Sequence, residues 1–278
     1  MDDKITRNKK SKKSHSRLHF ESNKDMLKCK RSQVTIFVII ALIIVVIIAL
    51  LFVLIRKPAV IISPTADPQA YMADCVEDSL AKSETSILNG NFYPNITDNF
   101  ILYYGKKVPY LCITSQFYLP CVNQEPMMIK AVKDQILAQA KKDADRCFAD
   151  MMASFRKNGY AVGEENMNLS IGLASNSVYS DITKKITVTK DEETRNFEKF
   201  SASIISPIYR LAETARNIVN YESALCEFNE MKWMMNYPDI LIRRFSTSDQ
   251  TKVYTLTDKV SGKSVNFAVK TCALPAGV

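Results

Sequence analysis

One segment constrains this chain more than any other: Val34 to Ile55 reads VTIFVIIALIIVVIIALLFVLI, twenty-two residues without a charge, a proline or a glycine. As a helix rising about 1.5 Å per residue it is roughly 33 Å long, enough to cross a hydrocarbon core of about 30 Å. A water-soluble helix carries a polar stripe at a 3.6-residue period, and this segment has none. Its β-branched Ile and Val disfavour helix weakly in water, but lipid forces every backbone N–H and C=O to pair within the segment, which overrides that preference. A secretory h-region of about 7 to 15 residues is shorter than this run. The expectation is therefore an uncleaved or pilin-type anchor at residues 34–55.

Charge orients it. The 33 residues before the run hold eleven Lys and Arg (Lys4 to Arg31) against Asp2, Asp3, Glu21 and Asp25, a net +7. Arg56 and Lys57 take +2, which leaves −1 for the rest of a chain whose total is +8. The positive-inside rule places the tail, 1–33, in the cytoplasm, and everything from about Pro58 outside. The same division excludes nucleic acid as a partner, because the basic excess lies in the tail, where it fixes topology and meets anionic lipid.

At the junction, Lys30-Arg31-Ser32-Gln33-Val34-Thr35-Ile36-Phe37 resembles the start of archaeal class III, type IV pilin-like signal sequences. The resemblance covers about 25 of 278 residues. It implies cleavage after Ser32, with Gln33 as the new N-terminus and the tail, Cys29 included, discarded. Two departures stand out: Ser occupies a position where Gly or Ala is commoner, and the first helical turns hold no Glu. The remainder resembles in style the membrane-anchored surface proteins of small-genome archaea.

Residues 56–67, with Pro58 and Pro64, read as a short linker. Beyond it, 68–278 is long enough for a sizeable core. Asp67 caps a first helix with Pro68 at its first position; Met72, Val76, Leu80, Ser83 and Ile87 form its stripe, and Asn89-Gly90 ends it. A hairpin follows, Phe100–Tyr104 and Val108–Ile113, turning at Gly105-Lys106-Lys107. A second helix after Pro126 carries Ile129, Val132, Ile136, Ala140, Ala144, Cys147, Met151 and Phe155 on one face and stops at Asn158-Gly159. Alternation at Leu169, Ile171 and Leu173, at Ile186 and Val188, and at Phe200, Ala202 and Ile204 predicts three antiparallel strands with turns near Ser175-Asn176 and Asp191-Glu192. Ser206-Pro207 opens a third, long helix reaching about Tyr237, and strands near Ile240–Phe245, Lys252–Leu256 and Ser264–Lys270 complete the chain. The fold class is α+β: an N-terminal transmembrane helix, then three main helices packed on antiparallel sheet. The unit of one helix and three strands occurs twice, without convincing internal sequence repetition.

Seven cysteines divide unevenly, Cys29 inside and Cys75, Cys112, Cys121, Cys147, Cys226 and Cys272 outside. Six in an oxidising compartment predict disulfides, with six buried free thiols as the alternative. Of the fifteen pairings that six cysteines allow, Cys112 with Cys121 is favoured by the short, closable loop containing Pro120. Cys226 with Cys272 and Cys75 with Cys147 complete the set without an equally specific argument. The spacings hold no C-x-x-C, and the only histidines, His15 and His19, lie in the tail. Histidine-bound metal and Ser-His or Cys-His catalysis are thereby excluded from the outer domain, and no cofactor or metal is expected.

Carboxylate chemistry remains open at Glu164-Glu165, Asp191-Glu192-Glu193 and Asp143/Asp145, against the plainer reading of solvated charge in turns and on a polar helix face. Ser-Lys hydrolysis is unmarked but open. Asn95-Ile96-Thr97 and Asn168-Leu169-Ser170 fit the glycosylation sequon. The aromatics Phe92, Tyr93, Phe100, Tyr103, Tyr104, Tyr110, Phe117 and Tyr118 offer a contact surface or hairpin core, and Met231, Trp233, Met234 and Met235 an adaptable groove or core filling. The expectation is a single-pass cell-surface protein with a structural or interaction role, whose partners are membrane lipid and a further protein or its own copies. A pilin-like filament subunit processed at Ser32-Gln33 and an envelope hydrolase are the alternatives.

Overall fold

A computed structural model describes residues 29–55, 63–93, 98–116 and 118–272; the basic tail up to Lys28, most of the linker, Asn95 and Phe117 lie outside the described residues. The chain divides into two units, Met1–Val60 and Ile61–Val278.

The first unit contains one helix, α1 (Cys29–Ile55), 27 residues long and so about 40 Å. Its side chains are described over 36–50, where every large apolar residue is exposed, from 48% at Ile40 to 68% at Phe37. Among the described residues no helix is long and apolar enough to cross a membrane. Ser32 and Gln33 fall within α1, and their side chains lie outside the described residues.

The second unit is α+β with helices on sheets, as the sequence predicts, but it contains two sheets. The first helix, α2 (Pro68–Asn89), starts as expected: the Asp67 carboxylate accepts from Ala70 N at 2.9 Å, satisfying one of the donors that a helix N-terminus leaves free. The hairpin β1 (Phe100–Tyr103) and β2 (Lys106–Ile113) turns at Tyr104-Gly105, one residue earlier than expected. Both turn residues have positive φ, 48° and 75°, the geometry whose twist matches the flanking strands. A two-residue strand β3 (Val122–Asn123) also pairs with β2.

The second long helix, α3 (Met128–Lys157), buries the stripe read from the sequence, with Val132, Ile136, Ala140, Ala144, Cys147, Met151 and Phe155 all at 1% exposure or less. Each large apolar side chain so buried stabilises the fold by about 1.5–3 kcal/mol before entropy is counted. Then come β4 (Ala161–Glu164), absent from the sequence reading, β5 (Asn168–Ala174), and the long pair β6 (Ser177–Lys190) and β7 (Glu193–Ile205). Asp191-Glu192 makes the β6–β7 turn, both residues at positive φ. In this sheet β7 follows one edge of β6 for its whole length, while β5 and β4 share the other, pairing with residues 177–183 and 186–189. One face is buried at Ile171, Val178, Ile182, Ile186, Val188 and Phe200 and packs on α2 and α3; the other is polar and open.

The third helix is shorter than its periodicity suggests. α4 (Ile208–Leu225) ends where Cys226 turns left-handed at φ 57°, and a separate helix α5 (Glu230–Asn236) begins at Asn229, whose side chain accepts from Lys232 N at 2.8 Å. The break is chemical: Cys226 is bonded to Cys272, and a left-handed non-glycine residue is held by such a constraint. Ser206 does serve the start of α4, accepting from Ile208 N at 3.2 Å.

The strands β8 (Ile240–Ser246), β9 (Thr251–Asp258) and β10 (Ser264–Lys270) form an antiparallel meander, as expected. The expectation of purely antiparallel sheet fails at the next step: β10 pairs with β2 in parallel, giving the order β1-β2-β10-β9-β8. Strands so distant in sequence are under no hairpin constraint, so the edge left open by the meander takes the N-terminal hairpin in the direction that buries Leu111 and Cys112. The inner face of this sheet packs on α4, α4 contacts α3, and one continuous core joins both sheets.

All three disulfides form in the expected pairing, Cys75–Cys147, Cys112–Cys121 and Cys226–Cys272, with Cα separations of 6.2, 5.3 and 5.5 Å. They tie α2 to α3, the end of β2 to the segment before β3, and the end of α4 to the residue beyond β10.

Candidate functional site

Four buried carboxylates define the polar interior, and the sequence marked only one of them. Asp143, read as part of the polar face of α3, is 7% exposed because α2 packs on that face. It accepts from Ser79 Oγ at 2.7 Å and Gln139 Nε2 at 3.0 Å, and pairs with Arg146. Burial alone raises such a carboxyl, but the Ser79 and Gln139 hydrogen bonds and the Arg146 charge outweigh it and hold the Asp143 pKa below the ordinary range. Glu84, 2% exposed on α2, accepts from Ser206 Oγ at 2.6 Å and pairs with Lys263 Nζ at 2.6 Å, so one side chain links α2, the start of α4 and the β9–β10 connection.

Glu222 is fully buried near the end of α4. Lys252 Nζ donates to its two oxygens at 3.0 and 2.8 Å, and the Tyr254 hydroxyl also donates to it. The same ammonium reaches Cys226 O at 2.7 Å and Glu227 at 3.1 Å, while Arg244 bridges Glu227 at 2.5 Å and Glu230 at 2.7 Å. Burial and the Glu222 charge push the Tyr254 phenol far above its ordinary value. Asp258, 1% exposed, pairs with Arg210 at 2.5 Å and accepts from Ser261 N and Oγ at 2.8 and 2.7 Å. In each case cation and hydrogen bonds saturate the carboxylate, which is the requirement for burying one. These clusters hold the fold together.

The candidate catalytic carboxylates are otherwise scattered. Glu164 pairs with the buried Lys184 at 2.8 Å, Glu165 with Lys185 at 3.4 Å, and Glu193 with Arg195 at 3.4 Å; Asp145, Asp191 and Glu192 are exposed. Asn168 is the exposed first residue of β5. No group of three or more potential metal ligands occurs among the described residues. The aromatic-rich stretch splits between the two readings: Phe92 is fully buried, whereas Tyr104 and Tyr118 are 89% and 76% exposed. Met231 and Met235, expected as core filling, are exposed at 76% and 82%, because α5 buries none of its residues.

The concave feature best furnished for a ligand lies between α4 and α5. A cleft of about 370 Å³ is lined by Tyr209, Arg210, Glu213, Thr214 and Asn217, by Trp233, Asn236 and Tyr237, by Asp239 at the start of β8, and by Ser175 of the β5–β6 turn. The α4 residues fall at the spacing of one helical face. Its Arg210 is steered by Asp258 and by Asp239 at 3.4 Å, and Asn217 Nδ2 is tied to Glu213 O at 2.8 Å. The Trp233 and Tyr237 rings lie 4.5 Å apart at 30°. Trp233 Nε1 and Arg210 Nε are buried without a hydrogen-bond partner, two donors in the wall of one cleft. A second cleft of about 390 Å³ shares Trp233, Asn236 and Tyr237 and adds Tyr221, Leu225, Phe228, Asn229 and Lys232. Both volumes fall within the roughly 300–1,000 Å³ range of small-molecule sites. A wider hollow of about 510 Å³ between α2 and α3 has two lysines, no aromatic ring and neither of these orphan donors.

The sequence reading singled out Trp233 but not its partners across the cleft. No protein-family model, curated protein or solved structure matches this chain.

Proposed function

We propose that this chain is a single-pass, membrane-anchored surface protein whose disulfide-closed α+β unit acts outside the cytoplasm as an interaction module. The observation that carries the reading is α1: a helix about 40 Å long whose described apolar side chains all face outward, uncovered by protein. A helix apolar on every side needs a solvent that is itself apolar, and the uncharged run 34–55 is long enough for lipid to be that solvent. The basic tail before it directs the folded unit outward. Three disulfides in the outer unit accord with an oxidising compartment. The interior carboxylates are saturated by structural partners, which favours binding over catalysis.

Topology is the test. A membrane-impermeant amine reagent applied to intact cells should label the lysines that follow residue 63 and spare those of the tail, and alkaline carbonate should leave the protein in the membrane. Release by carbonate, or labelling of the tail alone, would overturn the reading.

The Lys30-Arg31-Ser32-Gln33 junction supports a second reading, a pilin-like subunit in which α1 packs against other copies of itself after cleavage. Mass spectrometry of the mature N-terminus separates the two: a chain starting at Gln33 favours the filament, and an intact tail excludes that assembly route.

A further inference from the structure

We infer that the cleft between α4 and α5 binds a neutral saccharide, with a pyranose ring lying on the half-exposed ring of Tyr237. The inference deepens the interaction-module reading by naming its ligand class.

Three observations point to this chemistry. The first is the pair of orphan donors, Trp233 Nε1 and Arg210 Nε, buried in the cleft wall. Buried donors without partners are rare in folded proteins, and a ligand or water that accepts from them completes the site. The second is a set of acceptors with spare capacity in the same cleft: the Asp239 carboxylate, 62% exposed with a single 3.4 Å contact to Arg210, and Glu213. A peptide carbonyl would accept from the donors but offer nothing to the carboxylates. A hydroxyl both accepts and donates, so a ligand carrying one on most of its atoms can serve both sets at once.

The third observation is the aromatic surface. Tyr237 is 52% exposed and backed by Trp233, which in turn contacts Phe228 at 5.8 Å, so its ring is fixed while one side stays free. Rings with a negative face attract the polarised C–H groups of a sugar, and pre-organised rings add little ordering cost. Charge narrows the class further. One arginine against two carboxylates gives the cleft lining a net −1, which disfavours uronates, sialic acids and phosphorylated sugars. The second cleft continues past Trp233 and Tyr237, giving room for a chain of sugars.

Trp233 is the only tryptophan in the chain, so its fluorescence reports on this cleft alone. The full-length protein, held in a detergent without a sugar head group, would be titrated with maltohexaose, cellohexaose and chitohexaose. Oligogalacturonate and an acidic peptide are the comparison probes. A saturable emission change with at least one neutral oligomer, at a Kd of about 1 mM or tighter, is expected. Calorimetry should show Tyr237→Ala weakening that affinity by about tenfold and Tyr237→Phe preserving it. Lys142→Ala, in the distant α2–α3 hollow, should leave it unchanged. The inference falls if none of the three neutral oligomers gives a saturable change up to about 10 mM. An equal response to the acidic probes, or Tyr237→Ala binding as wild type, would also overturn it. Saccharide binding by a protein that labels as cytoplasmic would sink the surface reading and leave the cleft assignment standing.

Discussion

Lys252→Met should destabilise the folded unit far more than Glu222→Gln does, although the two residues form one ion pair. Glu222 is fully buried, and the Lys252 side chain is 13% exposed. Removing the ammonium strips four acceptors at once: both Glu222 oxygens, Cys226 O and Glu227. Tyr254 then remains as the hydroxyl donating to a buried carboxylate that has lost its cation. Breaking a buried pair from one side in this way costs about 3–5 kcal/mol. Glu222→Gln keeps the shape and still accepts from Tyr254, while Lys252 retains Cys226 O at 2.7 Å and Glu227 at 3.1 Å. That substitution should cost about 1–2 kcal/mol. The double variant, with no uncompensated charge, should be more stable than Lys252→Met alone, a non-additivity expected of contacting residues. Urea unfolding at pH 7 with disulfides intact measures all three. For a unit of this size the Lys252→Met loss corresponds to a melting decrease of roughly 6–20 °C. A Lys252→Met cost below about 1 kcal/mol, or a Glu222→Gln cost as large, would refute the reasoning.

A thiol titration of the denatured, unreduced chain should find one reactive cysteine, Cys29, out of seven, and a count of three or more would contradict the disulfide set. From loop entropy, losing Cys75–Cys147 should cost about 4.4 kcal/mol, Cys226–Cys272 about 4.0 and Cys112–Cys121 about 2.6, an order that denaturation of paired Cys→Ser variants would test. The Asp143 pKa is depressed in the folded state, so its stabilisation is present above the unfolded pKa of about 4 and disappears as pH falls through the lower folded value. Asp143→Asn should therefore flatten the acid limb of the stability–pH profile, and an unchanged limb would count against this. Gly172 faces Tyr179 across β5 and β6, and a Cβ there would meet that ring at 2.0 Å. Gly172→Ala should thus be destabilising beside Tyr179 and harmless in a Tyr179→Thr background, as read from melting temperatures.

Local chemistry was legible in the amino-acid sequence wherever a segment carries its own instruction. Asp67-Pro68 sets the start of α2 through a carboxylate cap and a fixed φ, and the α3 stripe from Val132 to Phe155 is one helical face repeated for seven turns. Strand β10 matches its expected bounds, and Asp191-Glu192 makes the expected turn. The division of charge between tail and outer domain needed no structure, since it is a matter of counting. The disulfide pairing was partly legible, through the short loop between Cys112 and Cys121.

Tertiary structure decided everything that depends on a distant partner. Periodicity tells which face of an element is buried but not what covers it, so the parallel joining of β10 to β2 left no mark in either strand. Helical periodicity continues through Cys226, and only the bond to Cys272 and the left-handed backbone there split α4 from α5. Glu84, Glu222 and Asp258 look like solvated charges in sequence, because burying a carboxylate requires cations that here come from Lys263, Lys252 and Arg210, 179, 30 and 48 residues away. The cleft between α4 and α5 has the same origin. Its two orphan donors and its free aromatic ring converge from three segments that only folding brings together.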